Sequence, residues 1–202
     1  MKQALALERL VVDRVNESVA VNQALLKSED FLALIGDVAR AMVESLRRGG
    51  TIFFFGNGGS AADAQHLAAE LAGRYLSERP GLPGLALTVN SPCLTAIGND
   101  YGYDLVFARQ LEALGSAKDV AIAISTSGNS ANVLQAVKAA RKKGMITVGM
   151  TGSRGGQLVA LVDYCLNVNS EHAPRIQEAH ILIGHIMLEI VENELFSNGR
   201  LS

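Results

Sequence analysis

Short apolar runs alternate with helical patterns along most of this chain. The apolar runs lie at residues 51–55, 84–89, 119–124, 145–150 and 164–168. Most of them are apolar at every position, which is typical of strands buried on both faces of a parallel sheet. Apolar residues recur at helical spacing in 60–77, 91–98, 104–114, 130–143 and 155–161, and again over a long stretch, 174–196. The alternation predicts an α/β fold with a five-stranded, parallel, doubly wound sheet and a long C-terminal helix.

Residues 1–49 follow a different pattern, that of two amphipathic helices. The polar residues 28–30 separate the two helices and supply an N-cap for the second. Gly49 and Gly50 end that second helix. The first strand follows at once, so the chain offers no linker at this point.

We therefore predict a single domain over residues 1–202, with an α/β core at 50–202 and the N-terminal helices at 1–49. A five-stranded sheet does not need the N-terminal helices to cover it. Their surplus apolar surface favours a partner subunit, and packing on the same chain is the alternative.

Composition narrows the class of protein. Lys and Arg number 18 against 20 Asp and Glu, and the net charge of −2 gives no basic surface for nucleic acid or an acidic membrane. No apolar run reaches the roughly 18–20 residues that span a bilayer, and the N-terminus lacks the apolar region of a signal peptide. The two cysteines, Cys93 and Cys165, do not make a disulfide framework. We expect a soluble, cytoplasmic protein.

Two loops follow predicted strands and carry polar, flexible residues. The first is Gly56-Asn57-Gly58-Gly59-Ser60, and the second is Ser125-Thr126-Ser127-Gly128-Asn129-Ser130. Both lead from the carboxyl end of a strand into a helix, where open α/β sheets bind their ligands. Free N–H groups at a helix N-terminus favour an anion, and hydroxyls add donors. Simple helix capping is the alternative, but two such loops at equivalent ends of one sheet favour a phosphate group.

A dinucleotide is the competing ligand for the first loop. Gly56, Gly58 and Ala61 satisfy the G-x-G-x-x-[GA] pattern. That pattern also requires an acidic residue at the end of the next strand, where this chain has Asn90 and Ser91. Neither loop carries a Gly-Lys-Ser/Thr sequence. A sugar phosphate fits these residues better than a nucleotide.

Acid/base or metal chemistry is indicated beside the first loop. His66 and Glu70 are spaced i, i+4 on one helix and share a face. With a histidine from another helix they would form a set for zinc or another divalent metal, and a surface ion pair is the plain alternative. His180 and His185 lie on the last helix, and their angles about its axis do not choose between them.

Taken together, these motifs resemble the sugar isomerase (SIS) domain proteins, which have a flavodoxin-like fold, and within them the phosphoheptose isomerases. The matching segments are "GNGGSAADAQHLAAEL", "AIGNDYGY", "AISTSGNSANV", "TGSRGG" and "RIQEAHILIGH", in family order over most of residues 45–195. The resemblance implies conversion of sedoheptulose 7-phosphate to D-glycero-D-manno-heptose 7-phosphate, by acid/base proton transfer through an enediol. That reaction begins the synthesis of ADP-heptose for the lipopolysaccharide core.

The resemblance also implies roles for individual residues. Substrate binding is implied for Asn57, Gly58, Gly59, Ser60, Glu70, Arg74, Asn99, Asp100, Ser125, Thr126, Ser127, Ser130 and Gln177. One zinc ion per subunit is implied on His66, Glu70, Gln177 and His185, so the family selects His185 over His180. Glu70 and His185 are implied as the catalytic acid/base pair, in a homotetramer whose sites lie at subunit interfaces. Pro174 departs from family members that carry Asp there.

Two other kinds of SIS protein are alternatives. Non-catalytic relatives that bind the bacterial replication initiator lose the residues matching Glu70 and His185, and this chain has both. Regulators that sense a sugar phosphate usually carry an added DNA-binding domain, whereas this chain has no basic segment. The sequence therefore favours the enzyme.

Overall fold

A computed structural model describes the protein from residue 2 to residue 196, and its side chains from residue 6. The helices α1 to α7 span Lys2–Leu26, Glu29–Arg47, Gly59–Ala72, Ser91–Tyr101, Ala108–Leu114, Ala131–Lys142 and Ala173–Phe196. The strands β1 to β5 span Ile52–Gly56, Gly84–Ala86, Val120–Ile124, Ile146–Thr151 and Tyr164–Asn167. The outermost parts of the predicted single domain, residue 1 and residues 197–202, lie outside the described residues.

All neighbouring strands are parallel, in the order β2-β1-β3-β4-β5. This is the doubly wound order in which ligands bind where the chain reverses direction across the sheet, between β1 and β3. Gly56 pairs in register with Ile124, so β1 and β3 end at the same level. The predicted fold is confirmed, and the loops after these two strands are neighbours.

Helices cover both faces of the sheet. Side chains alternate along β1, so Phe54 packs into one core with α2, α3 and α7. Phe53 and Phe55 pack into the other core with α5 and α6. Burial on both faces explains why the strands read as continuous apolar runs. None of the helices within residues 2–196 has the length and apolar character needed to cross a membrane.

The two N-terminal helices differ in how they pack. Val38 and Met42 of α2 are fully buried in the core beside α7, so the expectation that the sheet does not need this helix was wrong. Helix α2 shares this face of the sheet with α3 and α7, in one buried cluster. Helix α1 carries the surplus apolar surface, with Leu7, Val11 and Val15 more than half exposed.

Several predicted boundaries also differ from the structure. The helix predicted over 60–77 ends at Ala72, and residues 73–80 form a loop instead. The strand predicted over 84–89 covers Gly84–Ala86. The segments 104–114 and 155–161 include short 3-10 helices at Tyr103–Leu105 and Gly156–Ala160. Gly155 and Gly156 have positive φ angles, 66° and 61°, which exclude an α-helix from starting there.

Candidate active site

The first loop joins β1 to α3 by a turn that only small residues allow. Gly58 has φ 58° and ψ −121°, a conformation that residues with a Cβ rarely adopt. Gly56 lies so close to β3 that a Cβ at this position would be 2.6 Å from the Ile124 carbonyl oxygen, so only glycine fits there. The Asn57 side chain exchanges two hydrogen bonds of 2.8 Å with Asn132 on α6. The first loop is thereby tied to the start of the helix that follows the second.

The second loop presents its hydroxyls without using them as caps. Ser130 is the N-cap residue of α6, yet its side chain makes no capping hydrogen bond. Its Oγ instead lies 3.2 Å from Oγ of Ser125. Gly128, with φ 65°, passes close to the Gly155 backbone, where a Cβ would not fit. This arrangement weakens the capping interpretation and leaves hydroxyls and α6 backbone N–H groups for an anion.

A pocket of about 280 Å³ opens beside the second loop. Its lining residues are Thr126, Ser127, Asn129, Gly152, Ser153, Arg154, Ser170, Glu171 and Ile176. Arg154 and Glu171 pair across its surface at 2.6 Å. Sequence reasoning gave no role to Arg154, although the segment "TGSRGG" that contains it was among the matching motifs. Arg154 could have been identified from its position just after β4, because the carboxyl end of β4 lies at the same edge of the sheet as the two loops.

Two histidines meet between α3 and α7. Nε2 of His66 lies 2.8 Å from Nε2 of His185, so one ring donates a hydrogen bond to the other. Glu70 Oε1 is 3.7 Å from His66 Nε2. The side chains of His66 and Glu70 are 46% and 25% exposed, so ligands can reach both. The structure thus brings three of the predicted site residues together.

His180 lies elsewhere, in the core. Its ring is fully buried, and its Nε2 is 3.2 Å from the carbonyl oxygen of Thr151. Burial lowers the pKa of His180 to about 4, with the Thr151 hydrogen bond acting in the opposite direction. A neutral, buried ring of this kind is a structural residue.

Tyr75 is a neighbour of the histidine pair that sequence reasoning missed. Its ring stacks on that of His185, with the centroids 5.7 Å apart and the planes inclined by 26°. Burial raises the pKa of Tyr75, and the carboxylates of Glu189 and Glu70 raise it further. Tyr75 falls in the segment that the periodicity predicted as helix, which would have turned its side chain in another direction.

Four other predicted residues make contacts outside the histidine pair. Arg74 is exposed and pairs with Glu78 at 3.8 Å. Asn99 and Asp100 are exposed near the end of α4 and hydrogen bond to each other at 2.8 Å. Gln177 packs its amide against Gly59, where a Cβ would collide with it. These four positions are exposed or half-buried, so a ligand or a second subunit can still reach them.

The donors for zinc are of the right kind but not yet assembled. Among residues 2–196, no three His, Cys, Asp or Glu side chains are grouped closely enough to hold a metal as they stand. The two histidine nitrogens are 2.8 Å apart, whereas two nitrogens on tetrahedral zinc are about 3.3 Å apart, so a small opening of the pair is required. Gln177 and His185 are about 12 Å apart along the axis of α7. Imidazole and carboxylate fit zinc, and the Gln177 amide packs against Gly59 at the start of α3, the helix of His66 and Glu70.

The fold and this site define a class: an α/β protein that binds an anionic ligand at the carboxyl edge of its sheet, beside a His/Glu cluster. The SIS domain family matches residues 18–152. The phosphoheptose isomerase of Aneurinibacillus thermoaerophilus is 50% identical over 188 residues, which are 93% of this chain and 95% of that protein. That of Sulfurimonas denitrificans is 48% identical over 96% of this chain and 99% of its own length.

Solved structures agree with these relatives. The phosphoheptose isomerase of Neisseria gonorrhoeae superposes with a TM-score of 0.87 at 44% identity, over 93% of this chain and 99% of that one. The chain therefore belongs to the SIS domain family and, within it, to the phosphoheptose isomerases.

Proposed function

We propose that this protein is an aldose–ketose isomerase that converts sedoheptulose 7-phosphate to D-glycero-D-manno-heptose 7-phosphate, the first step towards ADP-heptose and the lipopolysaccharide core. The observation that carries the proposal is the meeting of His66, Glu70 and His185 beside two loops suited to a phosphate. Relatives named for this activity share about half of their residues with the chain over nearly its whole length.

Glu70 and His185 have the chemistry that the reaction needs. The Glu70 carboxylate takes a proton from C1 of the ketose while His185 donates one to the C2 carbonyl oxygen, which leaves an enediol. Glu70 then returns its proton to C2, and His185 recovers a proton from the C1 hydroxyl, which gives the aldose. Each positioned acid or base of this kind contributes roughly 10²–10⁴-fold to the rate.

The two loops hold the ends of the substrate. Ser125, Thr126, Ser127 and Ser130 bind the phosphate, with N–H groups at the start of α6. The residues that contact the sugar are Asn57, Gly58, Gly59, Ser60, Arg74, Asn99, Asp100 and Gln177. Hydroxyls and backbone amides are neutral donors for the phosphate, and Arg154 lines the pocket beside them.

Zinc is the cofactor we propose, one ion per subunit, on His66, Glu70, Gln177 and His185. When bound, it would polarise the substrate carbonyl or order these side chains. Family resemblance supports a site at a subunit interface, so the full set would draw on more than one subunit. A homotetramer in the cytoplasm, with its sites at subunit interfaces, accounts for this and for the exposed apolar residues of α1.

A turnover assay tests the proposal. Purified protein supplied with zinc is incubated with sedoheptulose 7-phosphate, and the aldoheptose 7-phosphate is followed by NMR beside a Glu70→Gln variant. We expect turnover by the wild type and a loss of about 10²-fold or more in the variant, which keeps its size but not its basicity. An intact wild-type tetramer without turnover would contradict the isomerase, and binding to the replication initiator would then be tested.

A further inference from the structure

A buried ion pair, Arg79–Glu192, binds the backbone of Tyr75, the residue stacked on His185, and the mechanism above uses neither of its members. Nε of Arg79 is 2.8 Å from Oε2 of Glu192, and the two side chains are 2% and 3% exposed. The Arg79 guanidinium lies over the ring of Phe196, with Cζ 5.8 Å from the ring centroid. Burying two charges is costly unless each is fully hydrogen bonded, so the contacts of this pair indicate what it holds.

Glu192 holds the loop that follows α3. Its carboxylate accepts hydrogen bonds from three successive backbone N–H groups, those of Tyr75 at 3.2 Å, Leu76 at 3.0 Å and Ser77 at 2.6 Å. Three donors on one carboxylate fix the course of a loop that lacks secondary structure of its own.

Arg79 holds the end of α3. Its guanidinium donates to the carbonyl oxygens of Glu70 at 2.8 Å and Leu71 at 3.0 Å. These carbonyls belong to the last turn of the helix, where no intrahelical partner remains, and a cation there also favours the helix dipole. One of the two is the backbone carbonyl of the proposed catalytic base.

The pair reaches the proposed acid as well. Glu192 lies about two turns after His185 on α7, so both residues face α3 and its loop. Tyr75, whose N–H is bound by Glu192, stacks its ring on that of His185. The ion pair therefore connects the helix of Glu70, the helix of His185 and the aromatic ring that limits rotation of His185.

We propose that Arg79 and Glu192, acting through Tyr75, are positioning residues that fix Glu70 and the ring of His185 for proton transfer. The role rests on the proposed isomerase function, since Glu70 and His185 are its acid/base pair. Neither member of the ion pair needs to contact substrate for this, and Tyr75 acts by limiting the orientations of a neighbouring ring.

Two variants test the positioning role, one at the ion pair and one at the Tyr75 ring. Arg79→Met frees the carbonyls at the end of α3 and leaves the buried Glu192 carboxylate without its cation, and Tyr75→Leu removes only the stacked ring. We expect both to lower kcat by about tenfold while KM stays near the wild-type value, because misplaced groups cost rate more than binding. Tyr75→Phe keeps the ring and is expected to retain activity. Arg47→Met is the matched control, since it removes an exposed Arg–Glu pair between α2 and α7, Arg47–Glu194.

A second measurement does not depend on turnover. The chain has four histidines, so their ring signals can be separated by NMR of protein labelled with ¹⁵N-histidine, and a His185→Gln sample assigns the one of interest. We expect the His185 signals to move in Arg79→Met and Tyr75→Leu and to stay in place in Tyr75→Phe and Arg47→Met.

A folded Arg79→Met protein with wild-type kcat and unmoved His185 signals would overturn the proposal. If Arg79→Met does not fold, Tyr75→Leu decides in the same way. If the wild type does not turn over the heptose phosphate, the isomerase proposal fails, while the His185 signals still decide whether the ion pair orients the ring.

Discussion

The two histidines of α7, His180 and His185, differ in their exposure to solvent and in the groups that they contact. His185 is partly exposed and meets His66, whereas His180 is fully buried against the Thr151 carbonyl. Burial disfavours the charged form of an imidazole, which is why the pKa of His180 falls from 6.5 to about 4. One histidine is thus available for chemistry, and the other makes the fold sensitive to acid.

This difference predicts how stability depends on pH. His180 takes up a proton near pH 6.5 in the unfolded chain but only near pH 4 in the folded chain, because its pKa is lowered from 6.5 to about 4 by burial. Below pH 6.5 protonation therefore favours the unfolded chain. The folded state is fully stable with respect to this group above pH 6.5 and loses that stability as the pH falls towards 4. We expect the contribution of His180 to the free energy of unfolding to be about 2 kcal/mol smaller at pH 5 than at pH 7. Urea unfolding at both pH values should show a smaller pH difference in His180→Gln than in wild type.

His172→Gln is the control for this comparison, because His172 is an exposed histidine at the start of the same helix. It should keep the wild-type difference between pH 5 and pH 7. An equal pH difference in His180→Gln and in wild type would mean that the buried ring does not contribute.

At the scale of elements, the spacing between α3 and α7 sets the distance between His66 and His185. Gly184 lies where α7 packs against α3, and a Cβ there would stand 2.6 Å from Cδ2 of Leu67. Leu67 is buried and follows His66 directly, so it has little room to move. The glycine lets the two helices come close enough for their histidine rings to touch.

Gly184→Ala should therefore push the helices apart. A methyl forced into a packed contact costs about 1–3 kcal/mol, which exceeds the gain of up to about 1 kcal/mol from better helix propensity. We expect a net loss of about 1 kcal/mol in urea unfolding, together with a lower kcat as His185 moves from His66.

Gly36→Ala on α2 is the matched control for this substitution. Its Cβ would have Arg40 Nη1 as the nearest atom, at 3.6 Å, so only the gain in helix propensity remains. This variant should be as stable as wild type or more so, with unchanged kcat. A Gly184→Ala protein that behaves in the same way would show that the helix spacing does not set the site.

At the scale of the whole molecule, α1 exposes more apolar surface than one chain covers. Leu7, Val11 and Val15 are 61%, 62% and 57% exposed, and Leu10, Val12 and Val19 are also exposed. The helix is fixed to the body by Arg175, which donates to the Arg14 carbonyl oxygen at 2.7 Å. A large exposed apolar face on a helix held in place is typical of a subunit interface.

Val11→Asp together with Val15→Asp should weaken the proposed tetramer. Each valine contributes about 1.5–3 kcal/mol when buried between subunits, and a carboxylate there adds a desolvation cost. Sedimentation velocity should detect a smaller species, and turnover should fall with it if the site is shared between subunits as proposed. Asn16→Asp adds a charge at an exposed polar position of α1 and should leave the mass unchanged. A double variant that keeps the mass of wild type would exclude this face as the interface.

The fold class and the two loops could be predicted from the order of amino acids alone. Strands buried on both faces must be apolar at nearly every position, and helices must repeat their apolar residues along one side, so the order of elements is visible without neighbours. The carboxyl ends of parallel strands meet at one edge, which is why the residues after β1 and β3 were predicted to lie together. The His66 and Glu70 pair could also be predicted, because residues four apart on a helix share one face.

Which distant groups meet depends on how the helices and strands pack together, and it could not be predicted from the amino-acid order. Helical spacing gives a residue's face but not what lies opposite, so it did not separate His185, which meets His66, from His180, which meets Thr151. The loop after Ala72 reads as helix in isolation, because the Glu192 carboxylate that holds it in another course comes from far along the chain. Local patterns record the backbone's own preferences, whereas a site is made by long-range packing that overrides them.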